Sequence, residues 1–252
     1  MGTVRTAEVR TMSKSGKNAV AARAKVDREK LYSPEEAIEV MRDSSFAKFD
    51  ETVEVHARLG IDPRQADQAV RTTVTLPHGT GSTVRVLVFA QGEAARIAEE
   101  SGADFVGGDE LIAKINEGWV DFDAAIATAD MMGKVGTLGR VLGRRGLMPN
   151  PRSGTVVRSP EDLPNVIKDL KGGRVEFRND RLGIVHTVIG KKRFTDEELR
   201  ENMLAFVDAL NRAKPSGVKG VYLKSLALTS TMGPGIRLDI GKAVAEAEGT
   251  AR

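Results

Sequence analysis

The pattern of apolar residues changes twice along the chain, and these two changes constrain the fold most. Between residues 78 and 171, short apolar runs alternate with amphipathic helical segments, which is typical of a small parallel sheet with covering helices. Residues 18–77 and 172–252 instead combine helices with strands joined through turns. We therefore predict a protein of α/β and α+β class, in which a Rossmann-like α/β domain, 78–171, is inserted into a split α+β domain, 18–77 with 172–252.

The two junctions of this nested arrangement contain residues that favour turns. Pro77, His78 and Gly79 stand at the first junction, and Gly172 and Gly173 stand at the second. Because the chain would cross between the domains twice at one place, these five residues are predicted to form a hinge.

Local signals predict several elements of the split domain. Ser33 with Glu36, and Thr195 with Glu198, have the spacing of capping boxes at helix starts. Alternating polar and apolar residues over 52–59 predict a half-buried strand with His56 on its polar side. The segments GRVEFRND and LGIVHTVIG are predicted to form an antiparallel pair around Asn179–Gly183.

Charge is distributed unevenly, although the formal net charge is only +3 and the pI is about 9.1. Basic residues outnumber acidic ones by eight to three in residues 1–30, six to none in 134–158 and eight to three in 168–193, whereas residues 93–130 hold ten acids and two bases. This separation favours a polyanionic partner for the basic segments. The alternative is a set of solvated faces that balance one another.

Several functional classes are disfavoured by what the sequence lacks. It has no cysteine, no phosphate-binding loop and no nucleophile elbow, and its three histidines, His56, His78 and His186, are far apart. We therefore expect no enzyme, no cofactor and no metal site, and we interpret the histidines as solvated or hydrogen-bonded.

The ends and the hydropathy of the chain bear on its location. No secretion signal and no membrane-spanning run is found, which predicts a cytoplasmic protein without a membrane partner. Residues 1–17 are expected to form a flexible basic tail.

Two stretches remain open to more than one interpretation. Leu138–Gly154 holds four arginines and no acid: either it is a loop of tight turns, with Pro149 and Pro151 fixing an extended path, or its arginines contact RNA phosphates. Leu228–Gly235 is either a strand end with a β-turn or a site where hydroxyl groups and bare backbone approach ribose.

Taken together, the motifs resemble a universal family of ribosomal proteins, protein number one of the large subunit. The similarity covers roughly residues 20 to 240 and is seen, in this order, in KFDETVEVHARLGIDPR, LPHGTG, GADFVGG, EGWVDFDAAIAT, LGRVLGRRGLMPNP, GRVEFRND and TSTMGP. Many separate motifs in one order are far more specific than a single motif. The chain departs from the family where many members have Gly-Pro-Arg-Gly, because it has Arg144 and Arg145 between Gly143 and Gly146.

The resemblance implies a two-domain RNA-binding protein that is a monomer within the ribosome. Its implied partners are large-subunit rRNA at the mobile stalk, deacylated tRNA leaving the exit site and the mRNA of its own operon, whose translation such proteins repress. The implied rRNA contacts are Lys48, Phe49, Thr52, Arg178, Asp180, Arg181, Thr231, Met232 and Gly233. Candidate contacts for tRNA or a second RNA are Arg140, Arg144, Arg145 and Arg152.

Two other functional classes stay open at this point. One is a repressor or chaperone outside the ribosome that binds RNA or DNA. The other is a nucleotide-dependent enzyme, which only the α/β pattern of residues 78–171 suggests and which the missing phosphate motifs disfavour.

Overall fold

The computed structural model of the protein describes residues 16–250. Most of the expected basic tail, residues 1–17, lies outside the described residues, and a helix begins at Lys17. Among residues 16–250, no helix combines the length and the apolar character that a membrane crossing requires.

Helices and strands follow one another in three groups along the chain. The first group is α1 (Lys17–Ala24), α2 (Pro34–Ser44), β1 (Thr52–Leu59) and β2 (Arg71–Thr75). The middle group is β3 (Val86–Phe89), α3 (Glu93–Glu100), β4 (Phe105–Gly107), α4 (Asp109–Asn116), β5 (Ala124–Thr128), α5 (Met132–Val135), α6 (Gly139–Arg145), β6 (Val156–Val157) and α7 (Leu163–Lys171). The last group is β7 (Arg174–Arg178), β8 (Ile184–Lys191), α8 (Asp196–Arg212), β9 (Leu223–Ser230), β10 (Ile236–Leu238) and α9 (Ile240–Thr250).

The strands form three sheets, and two of them combine strands from the first and last groups. The four-stranded antiparallel sheet has the order β10-β9-β1-β8, and β2 pairs with β7 in an antiparallel ladder. The middle group alone supplies a parallel sheet with the order β4-β3-β5-β6. The protein is therefore of mixed α/β and α+β class, as the two apolar patterns predict.

Both predicted capping boxes are confirmed. The Glu36 amide donates to the Ser33 hydroxyl at 3.3 Å, and the Ser33 amide donates to the Glu36 carboxylate at 3.4 Å. Thr195 and Glu198 exchange the same two hydrogen bonds at 3.2 and 2.7 Å. Each box satisfies two amides that the first helical turn leaves without partners, so the starts of α2 and α8 are set locally.

The four-stranded sheet has one covered face and one open face. Helices α2, α8 and α9 pack on the covered face around a single apolar core, which also includes Phe177 of β7. Phe177 meets Phe206 of α8 edge to face, with ring centres 5.2 Å apart. Burying an aromatic ring of this size contributes about 2–3 kcal/mol, so this contact ties the β2–β7 ladder to the core. The open face carries the polar members of each alternating strand.

The parallel sheet is covered on both faces, as sheets of this kind usually are. Side chains from α4, α5 and α6 form an apolar core on one face. Side chains from α3 and α7 form a second core on the other face. This double cover explains why β3 reads as a continuous apolar run in the sequence and why all four of its residues are buried.

The predicted antiparallel pair around Asn179–Gly183 is wrong. β7 pairs with β2 and β8 pairs with β1, and the two predicted partners share only an isolated bridge between Asn179 and Val185. The β1–β8 ladder belongs to the four-stranded sheet, whereas β2 and β7 form a separate two-stranded sheet. The chain reverses at this turn, where the Asp180 amide donates to the Ile184 carbonyl at 2.8 Å, and beyond the turn each strand pairs with a different partner.

The interpretation of Leu138–Gly154 as a loop of tight turns is wrong for its first half. Residues Gly139–Arg145 form the helix α6, which buries Leu142 and ends at Gly146 in the left-handed conformation, with φ of 74°. Leu138, just before the helix, is also buried. Glycines disfavour a helix locally, so the sequence did not indicate one here. Packing against the parallel sheet stabilises the helix in the structure.

Candidate nucleic-acid interface

The first cluster of predicted contacts lies at the end of the four-stranded sheet where β1 begins and β9 ends. The Thr231 hydroxyl accepts from the Thr52 amide at 3.0 Å and donates to the Thr52 carbonyl at 3.3 Å. The Lys191 ammonium group donates to the Thr52 hydroxyl at 2.7 Å. Thr231 thus uses its hydroxyl proton to join two strand ends, whereas the Thr52 hydroxyl has no acceptor for its proton among the described residues.

Two large apolar side chains are exposed at the same end of the sheet. Phe49 is 55% exposed in the segment before β1, and Met232 is 53% exposed in the turn after β9. Lys48 is exposed beside Phe49 and forms no ion pair with a described residue. An aromatic ring, a flexible thioether and a cation at one edge offer surfaces for a base, a sugar and a phosphate.

Gly233 lies close to the side chain of Ser230. A Cβ atom at this position would lie 2.5 Å from the Ser230 hydroxyl oxygen. The Gly233 amide donates to the Ser230 carbonyl at 3.1 Å, and the Thr229 hydroxyl donates to the Gly233 carbonyl at 3.3 Å. The turn that presents Met232 is therefore held by its own hydrogen bonds, and a larger residue at position 233 would require the Ser230 hydroxyl to move.

The second cluster surrounds the turn between β7 and β8. One carboxylate oxygen of Asp180 accepts from the amides of Leu182 and Ile184, both at 2.8 Å. The bond from Ile184 is the main reason why the pKa of Asp180 is lowered from its ordinary value, and the bond from Leu182 and the nearby His186 add to the effect. Asp180 therefore holds the shape of the turn.

Two arginines of this cluster point toward solvent. Arg178 and Arg181 are exposed, and neither forms an ion pair with a described residue. Together with Asp180 and His186 they border an open groove of about 800 Å³ along the β2–β7 ladder. A groove with two unpaired guanidinium groups suits the backbone of a nucleic acid.

The two clusters of predicted rRNA contacts lie at opposite ends of the β1–β8 ladder. Thr52 pairs with Lys191 at one end of the β1–β8 ladder, and Arg58 pairs with Ile184 at the other end. Six residue steps along a strand correspond to about 20 Å. The open sheet face between the clusters presents polar side chains, among them Glu54, His56 and Thr229.

A histidine pair at the middle of this face could not be found by sequence reasoning alone. His56 and His186 are directly opposed in the β1–β8 register, and their Nδ1 atoms are 2.8 Å apart. The alternating pattern of each strand places its histidine on the polar face, but only the register brings the two rings together. Burial, then the charge of His186, lowers the pKa of His56, and Glu54 acts in the opposite direction.

Residues of the two predicted junctions lie against each other, and the Leu76 amide donates to the Gly173 carbonyl at 3.2 Å. Gly79 and Gly173 have φ angles of 66° and 103°, and a Cβ atom on Gly173 would overlap the Gly79 backbone. The fully buried Asn202 of α8 accepts from the His78 amide at 3.0 Å and donates to the carbonyls of Gly79 and Ile189 at 2.9 and 2.8 Å. Sequence reasoning missed Asn202, because nothing local distinguishes it on an amphipathic helix.

The four arginines of the stretch Leu138–Gly154 lie in the middle group of elements. Arg140, Arg144 and Arg145 are exposed on or at the end of α6, and Arg152 is exposed in the 3-10 turn Pro151–Ser153. None of the four forms an ion pair with a described residue. They thus make a basic surface that is separate in sequence and in sheet from the two clusters.

Within residues 16–250, no group of three or more histidine and carboxylate side chains is arranged to hold a metal ion. Several acidic residues of the parallel-sheet region are engaged in surface ion pairs. Arg85, for example, binds Asp121 and Asp123, and the pKa of Asp123 is lowered chiefly by its hydrogen bond with Arg85.

Known proteins resemble this chain over nearly its whole length. A family model described as the ribosomal protein L1p/L10e family matches residues 41–234, a range that contains both clusters. The large ribosomal subunit protein uL1 of Thermomicrobium roseum is 62% identical over 236 residues, covering 94% of this chain and 98% of its own length. The proteins of the same name from Chloroflexus aggregans and Thermobifida fusca are 61% and 55% identical, covering 91% and 90% of this chain and 97% and 95% of their own lengths. The chain therefore belongs to the ribosomal protein L1p/L10e family.

Proposed function

We propose that the protein is a constituent of the large ribosomal subunit and binds large-subunit rRNA at the mobile stalk through the four-stranded sheet. The observation that carries this proposal is the pair of exposed clusters at opposite ends of an open polar sheet face, in a chain of this family. Such a surface spans about 20 Å, which is long enough to follow a nucleic-acid backbone over several nucleotides.

Each end of the surface supplies a different kind of contact. At the first cluster, Phe49 and Met232 present apolar surface, Lys48 presents charge and Thr52 offers a hydroxyl proton. At the second cluster, the unpaired guanidinium groups of Arg178 and Arg181 meet phosphates. The roles of Asp180, Thr231 and Gly233 are to hold these contacts in position, since their polar groups and backbone are used inside the protein.

A short rRNA stem fragment tests this proposal. We expect wild-type protein to bind it tightly, and Met232→Asp to weaken binding at least tenfold, because a carboxylate would stand where an apolar side chain meets the RNA. Leu31→Asp is the matched control: Leu31 is 56% exposed, similar to Met232, but lies outside both clusters. Equal losses for the two variants, or weak wild-type binding with a steep salt dependence, would contradict the site and favour nonspecific phosphate attraction.

The structure also supports a division into two mobile bodies. We propose that residues 18–77 and 172–252 form one domain, that residues 78–171 form an inserted domain, and that Pro77, His78, Gly79, Gly172 and Gly173 act as the hinge. A partly open cleft of about 230 Å³ between the two, bordered by Leu147, Met148 and Val175, supports relative motion, because the facing surfaces are not fully packed against each other there.

For the inserted domain, we propose a contact with deacylated tRNA at the exit site. The unpaired Arg140, Arg144, Arg145 and Arg152 support it, because phosphates are their natural partners. Arg144→Ala combined with Arg145→Ala is expected to slow tRNA release from ribosomes while leaving rRNA fragment binding unchanged. If this variant instead lost rRNA binding, the stretch Leu138–Gly154 would be part of the rRNA-binding surface.

We further propose that the same sheet face binds the protein's own operon mRNA and represses its translation. One RNA-binding surface can serve both targets if the mRNA presents a stem of similar shape. Met232→Asp should then relieve repression of a reporter carrying the operon leader, and Leu31→Asp should not. If neither variant relieved repression, the repression would not depend on this surface.

A further inference from the structure

The histidine pair His56–His186 is the titratable group that the RNA-binding proposal leaves unused. The two rings meet edge to face with their centres 4.9 Å apart, and the Nδ1 atoms approach to 2.8 Å. Two nitrogen lone pairs repel at this distance, so one Nδ1 must carry a proton that it donates to the other. The two rings therefore form one hydrogen-bonded unit.

The outer nitrogen of each ring faces a carboxylate. His56 Nε2 is 3.8 Å from a Glu54 oxygen, and His186 Nε2 is 3.7 Å from an Asp180 oxygen. A neutral pair has two protons for four nitrogens, and one of the two protons lies between the rings. The second proton can serve only one outer nitrogen, so the other outer nitrogen presents a lone pair to a carboxylate.

One additional proton resolves this conflict. With three protons, both outer nitrogens carry hydrogens toward carboxylates, and the single proton between the rings remains. A fourth proton would set two N–H groups against each other at 2.8 Å, which the geometry forbids. The pair thus accommodates a single positive charge.

Other charges around the pair set how readily it takes up that proton. On its own strand, Arg58 follows two residues after His56, and across the sheet β9 presents only the uncharged Ala227 before Arg237 of β10. On the other side, His186 borders the groove that contains Arg71, Glu176, Arg178 and Arg181. In the free protein, partial burial opposes protonation of His56 and Glu54 favours it, whereas RNA phosphates on this face would favour it further.

We propose that the His56–His186 pair takes up one proton when rRNA binds, so that it forms a cationic contact between the two clusters and makes rRNA affinity rise as pH falls. The inference rests on the proposed RNA-binding function and specifies how that surface is regulated. The position supports it: the pair is in the middle of the β1–β8 ladder, between the end at Thr52 and the end at Ile184.

The test is rRNA fragment affinity at constant ionic strength between pH 5.5 and 8.5. Uptake of a full proton changes affinity about tenfold per pH unit, and partial uptake changes it less. We expect the wild type to bind about tenfold more tightly at pH 6 than at pH 8. His186→Gln should reduce this change to less than about twofold, since it keeps a hydrogen-bonding side chain but cannot carry the charge.

A control variant and a direct proton count separate the pair from other titrating groups. His78→Gln changes a histidine that binds Glu201 at the first junction, and it should keep the wild-type pH dependence. Calorimetry in two buffers of different ionisation enthalpy should show proton uptake on wild-type binding near pH 7. Nitrogen NMR of the wild-type imidazoles should show the change from two to three ring protons, which requires no variant to fold.

The outcomes distinguish this inference from the function on which it rests. If the wild type fails to bind the fragment at any pH, the RNA-binding function fails. If it binds without proton uptake, or if His186→Gln has the same pH dependence as the wild type because RNA groups titrate, the inference is overturned and the binding function stands.

Discussion

Asn202 offers the most quantitative test of how the flanking segments are joined to the middle of the chain. Its side chain is fully buried and makes three hydrogen bonds, to the His78 amide and to the carbonyls of Gly79 and Ile189. Asn202→Ala removes all three, and it leaves the Ile189 carbonyl buried and the His78 amide and Gly79 carbonyl partly buried without this partner. At about 1 kcal/mol for each bond, we expect a loss of about 3 kcal/mol in the free energy of unfolding.

Thermal and urea unfolding followed by far-UV circular dichroism would measure this loss. In a protein of this size, about 3 kcal/mol corresponds to a decrease in Tm of roughly 6–12 °C. Hydrogen exchange at the His78 amide should also accelerate more than exchange in the parallel sheet, because its acceptor is removed. Asn211→Ala is the matched control on the same helix, since the Asn211 side chain makes no hydrogen bond with a described residue, and it should change stability by less than about 0.5 kcal/mol.

Asn202→Asp sharpens the test. The carboxylate can still accept from the His78 amide, but it cannot donate to the two carbonyls and places a charge against them. We expect it to destabilise the protein at neutral pH at least as much as alanine does. If Asn202→Ala proved as stable as Asn211→Ala, the reasoning that Asn202 holds the first junction would be refuted.

Three further predictions follow from the geometry of single residues. Gly173→Ala should destabilise the protein by about 2 kcal/mol or more in urea unfolding, because φ is 103° and the new Cβ would overlap Gly79. Gly139→Ala in α6 should instead stabilise the protein by about 0.5–1 kcal/mol. Equal effects of the two substitutions would contradict the close approach of Gly173 to Gly79. Thr231→Val should lower stability by about 1–2 kcal/mol and rRNA affinity about tenfold, because the hydroxyl joins the two strand ends. Thr231→Ser keeps the hydroxyl and should leave both close to the wild-type values. Equal losses in the two variants would contradict this role of the hydroxyl. The pKa of Asp180 is lower in the folded protein than in the unfolded chain, so its stabilising effect is present above the unfolded pKa and is lost as pH falls through the folded pKa. Asp180→Asn should therefore flatten the dependence of Tm on pH below about pH 4. An unchanged dependence would show that the turn does not depend on this charge.

Much of the fold could be predicted because its signals are local. The capping boxes at Ser33 and Thr195 depend on residues three positions apart, and the period of β1 depends on its own alternation. The change to continuous apolar strands marked the parallel sheet, since burial on both faces leaves no polar positions. The folded protein has these features as predicted, because neighbouring residues determine them.

The errors arose where distant packing outweighs local preference. The segments GRVEFRND and LGIVHTVIG are separated by a turn and have patterns that suit a hairpin. In the structure, however, the first pairs with β2 and the second pairs with β1. In α6, helix formation occurs despite two glycines, because Leu138 and Leu142 are buried against the parallel sheet. Local propensity is a weak term compared with the burial of such side chains.

The sequence by itself determined which residues alternate, where helices start, and which family the motifs resemble, because each depends on residue type and short spacing. Only the tertiary structure showed that the predicted RNA contacts form two clusters about 20 Å apart, that Thr231 and Asp180 serve inside the protein, and that His56 meets His186. The physical reason is strand register: a shift of one residue in the β1–β8 ladder would turn one histidine to the covered face, and no local pattern specifies that register.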